Sequence, residues 1–230
     1  MSPREARAHL FVADLDTPEI ESTDRHHLDR VLRLRPGDPV TICDGAGRWR
    51  WCRWAASPQR PEPWGEVRSD PRPSPEVAVA FAPVKGDRPE WAVQKLTEVG
   101  VDRIVVFTAA RSVVRWDGER SVRAVERLRR VAREAAMQSR RTWLPAIETP
   151  TTFAEVAART GSALAEPGGK APWWPAGPVL VGPEGGWAPE ELARDLPRMA
   201  LGAHVLRTET AVVAAGVLLT YLRAESGAAG

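Results

Sequence analysis

The sequence predicts an α/β protein in two parts: a small β-rich domain, then a mostly parallel sheet with helices on both faces. Three observations carry that reading. Six prolines crowd the stretch from Ser57 to Pro75, too densely for regular structure, so the chain divides into residues 1–72 and 73–230. Before the prolines, segments rich in β-branched and aromatic residues are interrupted by one short helix-like segment. After them, strand-like and helix-like segments alternate, the rhythm of a parallel sheet covered on both sides.

In the first part, "AHLFVADL" reads as a strand, "STDRHHLDRVLRL" as a short helix capped by Ser22 or Thr23, and "RPGD" as a turn. "PVTICDGAGRWRWCRWAAS" reads as a hairpin, with Asp44-Gly45 and Gly47 supplying the turn. The pattern fits a small barrel. In "RWRWCRW" cations and indoles alternate, which suits phosphates and stacked bases and equally suits a barrel strand with an aromatic inner face.

The second part opens with the short buried strand "VAVAFAP". "DRPEWAVQKLTEVG" then reads as a helix with Asp87 as cap, Glu90 three residues on and Gly100 as terminator. "RIVVFTA" is the next strand, and the segment from Glu119 to Ser139 is a long amphipathic helix with Val122, Val125, Leu128, Ala132 and Ala136 on one stripe. Strands "WLPAIE", "SALAE", "PVLVG" and "RMALG" and helices "FAEVAART", "PEELARDL" and "TETAVVAAGVLLTYL" follow, with Pro167 to Pro178 as the long irregular piece. The last helix, capped by Thr208, is apolar on every side from Ala211 to Leu219, which requires burial in the core or against a second subunit.

Composition excludes several classes. With 43% hydrophobic and 27% charged residues in 230, the chain is globular. It shows no signal-peptide run and no stretch long enough to span a bilayer, so a cytoplasmic location without membrane contact is expected. Cys43 and Cys52 lack the partners of a zinc site and read as buried thiols, and no metal is expected. The net charge of +2 conceals a basic segment, Arg111 to Arg141, with ten Arg against Asp117, Glu119, Glu126 and Glu134. That segment fits a phosphate backbone or a solvated helix face.

The most informative stretch is "VLVGPEGGWAPEEL". Ligands of open parallel sheets bind where strands end and helices begin, and Gly182, Gly185 and Gly186 allow close backbone approach or positive φ there. Pro183 stiffens the loop, Pro189 opens the next helix, and Ala188 is a poor cap with Glu191 at the capping-box position. The spacing fits neither GxGxxG nor a P-loop.

Six collinear segments together carry a resemblance: "HHLDRVLRLRPGD", "KGDRPEWAVQKLTEVGV", "TAARSVVRW", "REAAMQSRRTWLPAI", "LVGPEGGWAPEEL" and "LGAHVLRTETAVVAAG". The chain resembles the RsmE family of ribosomal RNA methyltransferases over nearly its whole length. The resemblance implies a SPOUT-type enzyme: an N-terminal PUA-like β-barrel, a trefoil-knotted α/β domain, S-adenosylmethionine as methyl donor, and a homodimer. The implied reaction is methylation of N3 of uridine 1498 in 16S rRNA of the small ribosomal subunit. Two positions depart from the family pattern: Met137 stands where Glu is usual, and Ala188 replaces a small hydroxyl cap.

The resemblance also implies site residues. The donor pocket is expected from three loops: Thr108 to Ser112, then Val181, Gly182, Pro183, Glu184, Gly185 and Gly186, then Leu201, Gly202, Val205, Leu206 and Thr208, with Ala211 behind them. Methyl transfer to uracil N3 requires loss of a proton and stabilisation of the charge that spreads to the flanking oxygens. Arg111 and Arg207 are the candidates for that stabilisation and Glu209 for the proton, each with a structural ion pair as its other reading. RNA contacts are expected from Arg7, His26, His27, Arg30, Arg33, Arg48 and Arg50 in the first domain, and from Arg129, Arg130, Arg133 and Arg140. A non-catalytic RNA-binding protein, and a methyltransferase for another rRNA or tRNA position, are the rival readings.

Overall fold

The computed structural model describes residues 2–21, 33–56, 60–116 and 118–228. All but the last two residues of the helix expected over residues 22–34 lie outside this set, as do His26, His27 and Arg30. The chain divides into two compact units, Met1–Arg72 with Arg133–Leu144, and Pro73–Ala132 with Pro145–Gly230.

In the first unit, β1 (Ala8–Phe11) pairs in parallel with β2 (Pro39–Cys43), which forms an antiparallel hairpin with β3 (Arg48–Trp54). Gly45 and Gly47 take positive φ in the hairpin loop, where an L side chain is strained. Two short strands form within the proline-rich stretch, β4 (Pro61–Pro63) and β5 (Arg68–Ser69), both paired to β3. Pro61 and Pro63 are tolerated because β4 lies at the sheet edge, where a missing N–H breaks no second ladder.

Both faces of this sheet are covered. Trp49, Trp51 and Cys43 pack with Ala136 in one apolar cluster, while Cys52, Trp54, Val40 and Ile42 pack in another. The three indoles of "RWRWCRW" are therefore buried and offer no base-stacking platform; of the two readings of that strand, the packed one holds. Burial pushes the Cys43 thiol up, and that of Cys52 up to about 12, so both are inert.

In the second unit, β6 (Ala78–Phe81), β7 (Arg103–Thr108), β8 (Ala146–Ile147), β9 (Thr151–Thr152), β10 (Ala163–Lys170), β11 (Val179–Val181) and β12 (Arg198–Met199) form an all-parallel sheet. The order is β12-β10-β11-β6-β7-β8, with β9 also on β7. Strand periodicity sends Val79, Phe81, Ile104, Val106, Val179 and Val181 to one face. There they meet α1 (Arg88–Val99), α2 (Gly118–Gln138) and α5 (Thr208–Ala228). Ala80, Val105, Phe107, Leu164 and Leu180 turn to the other face, under α3 (Phe153–Ala157) and Trp187. A short helix, α4 (Pro189–Leu192), follows the glycine loop.

Several local expectations are corrected. The Asp87 side chain makes no cap bond to α1, and Glu90 pairs instead with Arg127; Gly100, with φ 97°, does end the helix. Strand β10 runs on to Lys170, through residues read as irregular. Val122 is 60% exposed, so the buried stripe of α2 starts at Val125. Helix α5 is not enclosed: Val212, Ala215 and Leu219 are buried, whereas Val217 and Tyr221 are 46% and 60% exposed.

The last turn of α2 belongs to the first unit. The Arg141 N–H donates to the Ala136 carbonyl and the Arg140 N–H to that of Met137, a Schellman end that puts Arg140 at φ 61° where glycine is usual. The strain, about 1 kcal/mol, is offset because the Arg140 guanidinium donates to the carbonyls of Met137, Ala6 and Arg7. Met137 packs between the two apolar clusters of this unit, so the residue in place of the usual Glu has a packing role.

His9 is 2% exposed, and burial lowers its pKa to about 4. Its Nε2 faces the Arg141 carbonyl at 3.0 Å, which can only accept, so Nε2 carries the proton and Nδ1 accepts from the Thr41 hydroxyl at 2.7 Å. Because the folded pKa lies below the unfolded 6.5, this histidine favours the fold at neutral pH. That contribution, of order 3 kcal/mol from the shift, is lost as pH falls from about 6.5 towards 4. Thermal melts should show wild-type protein losing stability between pH 7 and 4.5, with His9→Gln flattening that slope; parallel slopes would remove His9 as the cause.

Candidate active site

The parallel register decides where a site forms. Ala165 of β10, Val181 of β11 and Phe81 of β6 stand at one level, so the loop that follows β11 leaves the carboxyl end of the sheet beside β10, which runs on to Lys170 next to β12 and the loop that follows it. They enclose a cavity of about 680 Å³, inside the roughly 300–1,000 Å³ typical of small-molecule sites. One wall is Val181, Gly182, Pro183, Glu184 and Gly186; a second is Leu201, Gly202 and His204 to Thr208; a third is Ala165, Glu166 and Pro167. Trp187, Leu192 and Ala211 close the apolar part, and Arg88 reaches in from α1.

Trp187 organises these walls. Its ring stacks on Phe107 with centroids 6.1 Å apart, and its indole N–H donates to the Ala165 carbonyl at 3.0 Å. A Cβ on Gly182 would stand 3.0 Å from the Trp187 ring, so glycine lets the loop cross the indole at close range without displacing it. Gly186 takes φ 68° as its N–H donates to the Pro183 carbonyl, closing the turn. The Thr208 hydroxyl donates to the Gly182 carbonyl at 3.2 Å, so the start of α5 ties the second wall to the first.

Of the residues expected at a donor pocket, Thr108 and Gly185 do not line the cavity. Thr108 pairs with Thr152 in the sheet, and the Gly185 carbonyl turns away to accept from Arg111 Nη1 at 3.0 Å. The loop Thr108 to Ser112 lies behind the glycine loop as a brace: Glu191 Oε1 accepts from the Ala110 N–H and Oε2 from the Ala188 N–H, both at 2.8 Å. Glu191 thereby supplies the cap that Ala188 lacks. The third wall is formed by Ala165, Glu166 and Pro167, which the strand pattern leaves unmarked.

The charged groups form two sets. Arg88 Nη1 donates to Glu184 Oε1 at 2.6 Å and lies 3.9 Å from Glu209 Oε1, while Glu209 Oε2 is buried without a partner among the described residues. Arg88 and Glu184 are 41% and 47% exposed, so their pair contributes about 0–1 kcal/mol and serves mainly to place the guanidinium at the cavity. Glu209 stands behind Arg88, off the cavity wall. Arg207 lines the cavity, and its exposed guanidinium has no partner among the described residues. Arg88 was legible in principle, since it sits in the quoted "KGDRPEW", but its position as the first residue of a helix gave no reason to single it out.

Within the first unit, Arg50 is spent on Asp16 and on the carbonyls of Leu15 and Gly65. Arg133 donates to the Phe11 carbonyl, and in the second unit Arg129 donates to that of Ile147. With Arg140, these are structural cations. Arg7, Arg33, Arg48 and Arg130 remain exposed, Arg7 paired with Asp38 at 3.4 Å.

The family described as RNA methyltransferase domain matches residues 71–220. The ribosomal RNA small subunit methyltransferase E of Mycobacterium tuberculosis is 34% identical, over 85% of this chain and 83% of its own length. The chain belongs to the ribosomal RNA small subunit methyltransferase E family. The Bacillus subtilis member is 29% identical over 91% and 92% of the two chains. Among solved structures, the probable rRNA-methyltransferase from Porphyromonas gingivalis superposes with a TM-score of 0.76 at 26% identity, over 95% of this chain and 99% of that one. The family member from Neisseria gonorrhoeae, solved bound to S-adenosyl methionine, gives 0.76 at 25%, over 94% and 97%. In this family member the family's glycine loop is shaped by Trp187 from below.

That packing has a measurable consequence. Gly182→Ala should be destabilised by about 1–3 kcal/mol through overpacking, because Trp187 is held by Phe107 and Ala165 and cannot yield. Gly185→Ala meets the Arg111 Cβ at 3.3 Å, a looser contact than the 3.0 Å at Gly182, and should be destabilised less than Gly182→Ala. Equal melting temperatures for the two variants would show that Trp187 does not constrain the loop.

Proposed function

We propose that this chain transfers a methyl group from S-adenosylmethionine to N3 of uridine 1498 in 16S rRNA. The observation that carries the reading is the cavity beside β10 at the carboxyl end of β11, where loop backbone, apolar walls and Arg207, unpaired among the described residues, meet in a chain of this family. The residues fit the donor. Val181, Leu201, Leu206, Ala211 and Trp187 suit an adenine face, and the backbone of Gly182 to Gly186 suits polar groups that need close approach. The bound sulfonium supplies an activated methyl with a good leaving group, so the protein's main task is alignment.

The remaining work falls to this chain's side chains. Arg207 is assigned to the uracil oxygens that gain charge as N3 loses its proton, and Arg88 to the same charge from the opposite wall. Glu209, the sequence's candidate for the proton, stands off the cavity wall behind Arg88 and is reassigned to positioning that guanidinium, and the N3 proton leaves to solvent. Arg111 is reassigned: bonded to the Gly185 carbonyl and off the cavity wall, it braces the loop.

The finer architecture follows the same reading. A trefoil knot in the second unit is supported by the chain path: it leaves β11, lays β12 beside β10 at the far edge, and returns so that Thr208 bonds Gly182. The first unit is assigned as the PUA-like barrel, with Arg7, Arg33 and Arg48 towards RNA, and Arg130 of α2 is assigned to phosphates. No helix among the described residues is long and apolar enough to cross a membrane, and a ribosomal RNA substrate accords with the cytoplasm.

A homodimer is supported by the open apolar face of α5, where Val213, Val217 and Tyr221 recur every four residues opposite the buried Val212, Ala215 and Leu219. Val217→Asp should give a folded monomer in sedimentation, since Val217 is exposed within its own chain. A dimer unaffected by that change would move the interface elsewhere.

An N3 methyl blocks the Watson–Crick edge, so reverse transcription should stop one nucleotide short of the site in normal cells and read through when the gene is deleted. Arg207→Ala in the deletion strain should fail to restore the stop, with turnover lowered about 10²–10³-fold and donor binding retained in titration. A stop that persists in the deletion strain would assign the modification to another enzyme, and a stop elsewhere would change the substrate.

A further inference from the structure

Among the acidic residues of the cavity wall, Glu166 is set apart. Glu184 is paired with Arg88, whereas the half-buried Glu166 carboxylate has no hydrogen-bond or ion-pair partner among the described residues. A carboxylate held at the edge of an apolar cavity without a donor loses part of its hydration and gains nothing in exchange, unless a ligand supplies the donor.

Register defines its neighbourhood. Ala165 pairs with Val181, the last pair between β10 and β11, so Glu166 stands beside Gly182, the first residue of the glycine loop. On the other side, the pairing of β10 with β12 slips between Ala165 and Lys170, where both residues face Met199. Residues 166–169 therefore form an irregular, bulged stretch past the last pair with β11, and Gly169 returns to the backbone of β12. Bulges of this kind re-aim side chains beside functional sites, and this one starts at Glu166, on the cavity wall.

An acidic residue on the strand adjacent to a glycine-loop strand, at the level where the latter ends, is placed in an open parallel sheet to accept from the hydroxyls of a nucleoside ribose whose polar chain runs along that loop. A carboxylate has two oxygens and a ribose has two vicinal hydroxyls, so the match is bidentate and charge-assisted. We infer that Glu166 is the ribose-binding residue of the cavity and accepts from the 2′ and 3′ hydroxyls of the adenosyl group. This rests on the reading of the cavity as an S-adenosylmethionine site and adds which end of the donor faces β10. Arg88 and Arg207, on the other walls, are then left to the substrate base.

The test is isothermal titration of wild type and Glu166→Gln with four nucleosides: S-adenosylmethionine, S-adenosylhomocysteine, its 2′,3′-dideoxy analogue and 5′-methylthioadenosine. Replacing the carboxylate should weaken the three ribose-bearing compounds by a common factor of about 10–100, as expected for losing charge-assisted hydrogen bonds. It should leave the dideoxy analogue within about twofold, by the same reasoning. Wild type alone should bind the dideoxy analogue about 10–100 times more weakly than S-adenosylhomocysteine, a readout independent of the variant's folding. A larger loss for S-adenosylmethionine than for S-adenosylhomocysteine would place the carboxylate at the sulfonium and overturn the inference. A loss that vanishes with 5′-methylthioadenosine would place it at the α-ammonium, and unchanged affinities would remove it from the site. If wild type binds none of the four, the donor reading of the cavity fails, and the role of Glu166 fails with it.

Discussion

The parallel register of β10, β11 and β6 is the constraint on which the cavity depends. With Ala165, Val181 and Phe81 at one level, the glycine loop leaves the sheet beside β10, and much that follows is a means of holding it to the loop after β12. Trp187 fills the space beneath the glycine loop, Thr208 bonds the returning chain to Gly182, and Glu191 bonds the loop after β7 to the start of α4. Shift β11 by one residue and its alternation inverts: Leu180 would face α1 and α5, Val179 and Val181 would face Trp187, and the cavity floor would be lost.

Charge in this protein divides by how it is spent. Many arginines that look like an RNA surface in the sequence bond carbonyls within their own unit, as Arg50, Arg133 and Arg140 do in the first and Arg129 in the second. A guanidinium has five donors in a fixed fork, so it is the side chain best able to close a helix end or a loop with several acceptors at once. Arg140 shows the exchange plainly: it adopts a backbone conformation that favours glycine and is held there by three carbonyls. The cations left for ligands are few, and those on the cavity are Arg88, tethered by Glu184, and Arg207.

Much of the site was legible before folding was known. The motifs "GPEGG" and "LRTET" lie on two of the cavity walls, and the glycine loop stands where a strand gives way to a helix. The third wall was not legible. Thr108 to Ser112 carries a recognisable motif, yet Glu191 and Arg111 hold it behind the loop, while Ala165, Glu166 and Pro167 carry no local signature. Likewise "TETAVVAAGVLLTYL" looks uniformly apolar, and only the position of α1 and the sheet divides it into a buried face and an open one.

By itself the sequence determined the alternation of strands and helices, the hairpin around Gly45 and Gly47, the buried thiols and the family, because each of these rests on local periodicity, turn chemistry or motif. Tertiary structure alone decided which arginines are internal, why Gly182 is crowded by Trp187, and that Glu166 stands beside it unpartnered among the described residues. The physical reason is that these depend on contacts across long sequence separations, such as Gly182 against Thr208 or Arg88 against Glu184. The partner there is chosen by sheet order and register, neither of which is encoded in any one segment.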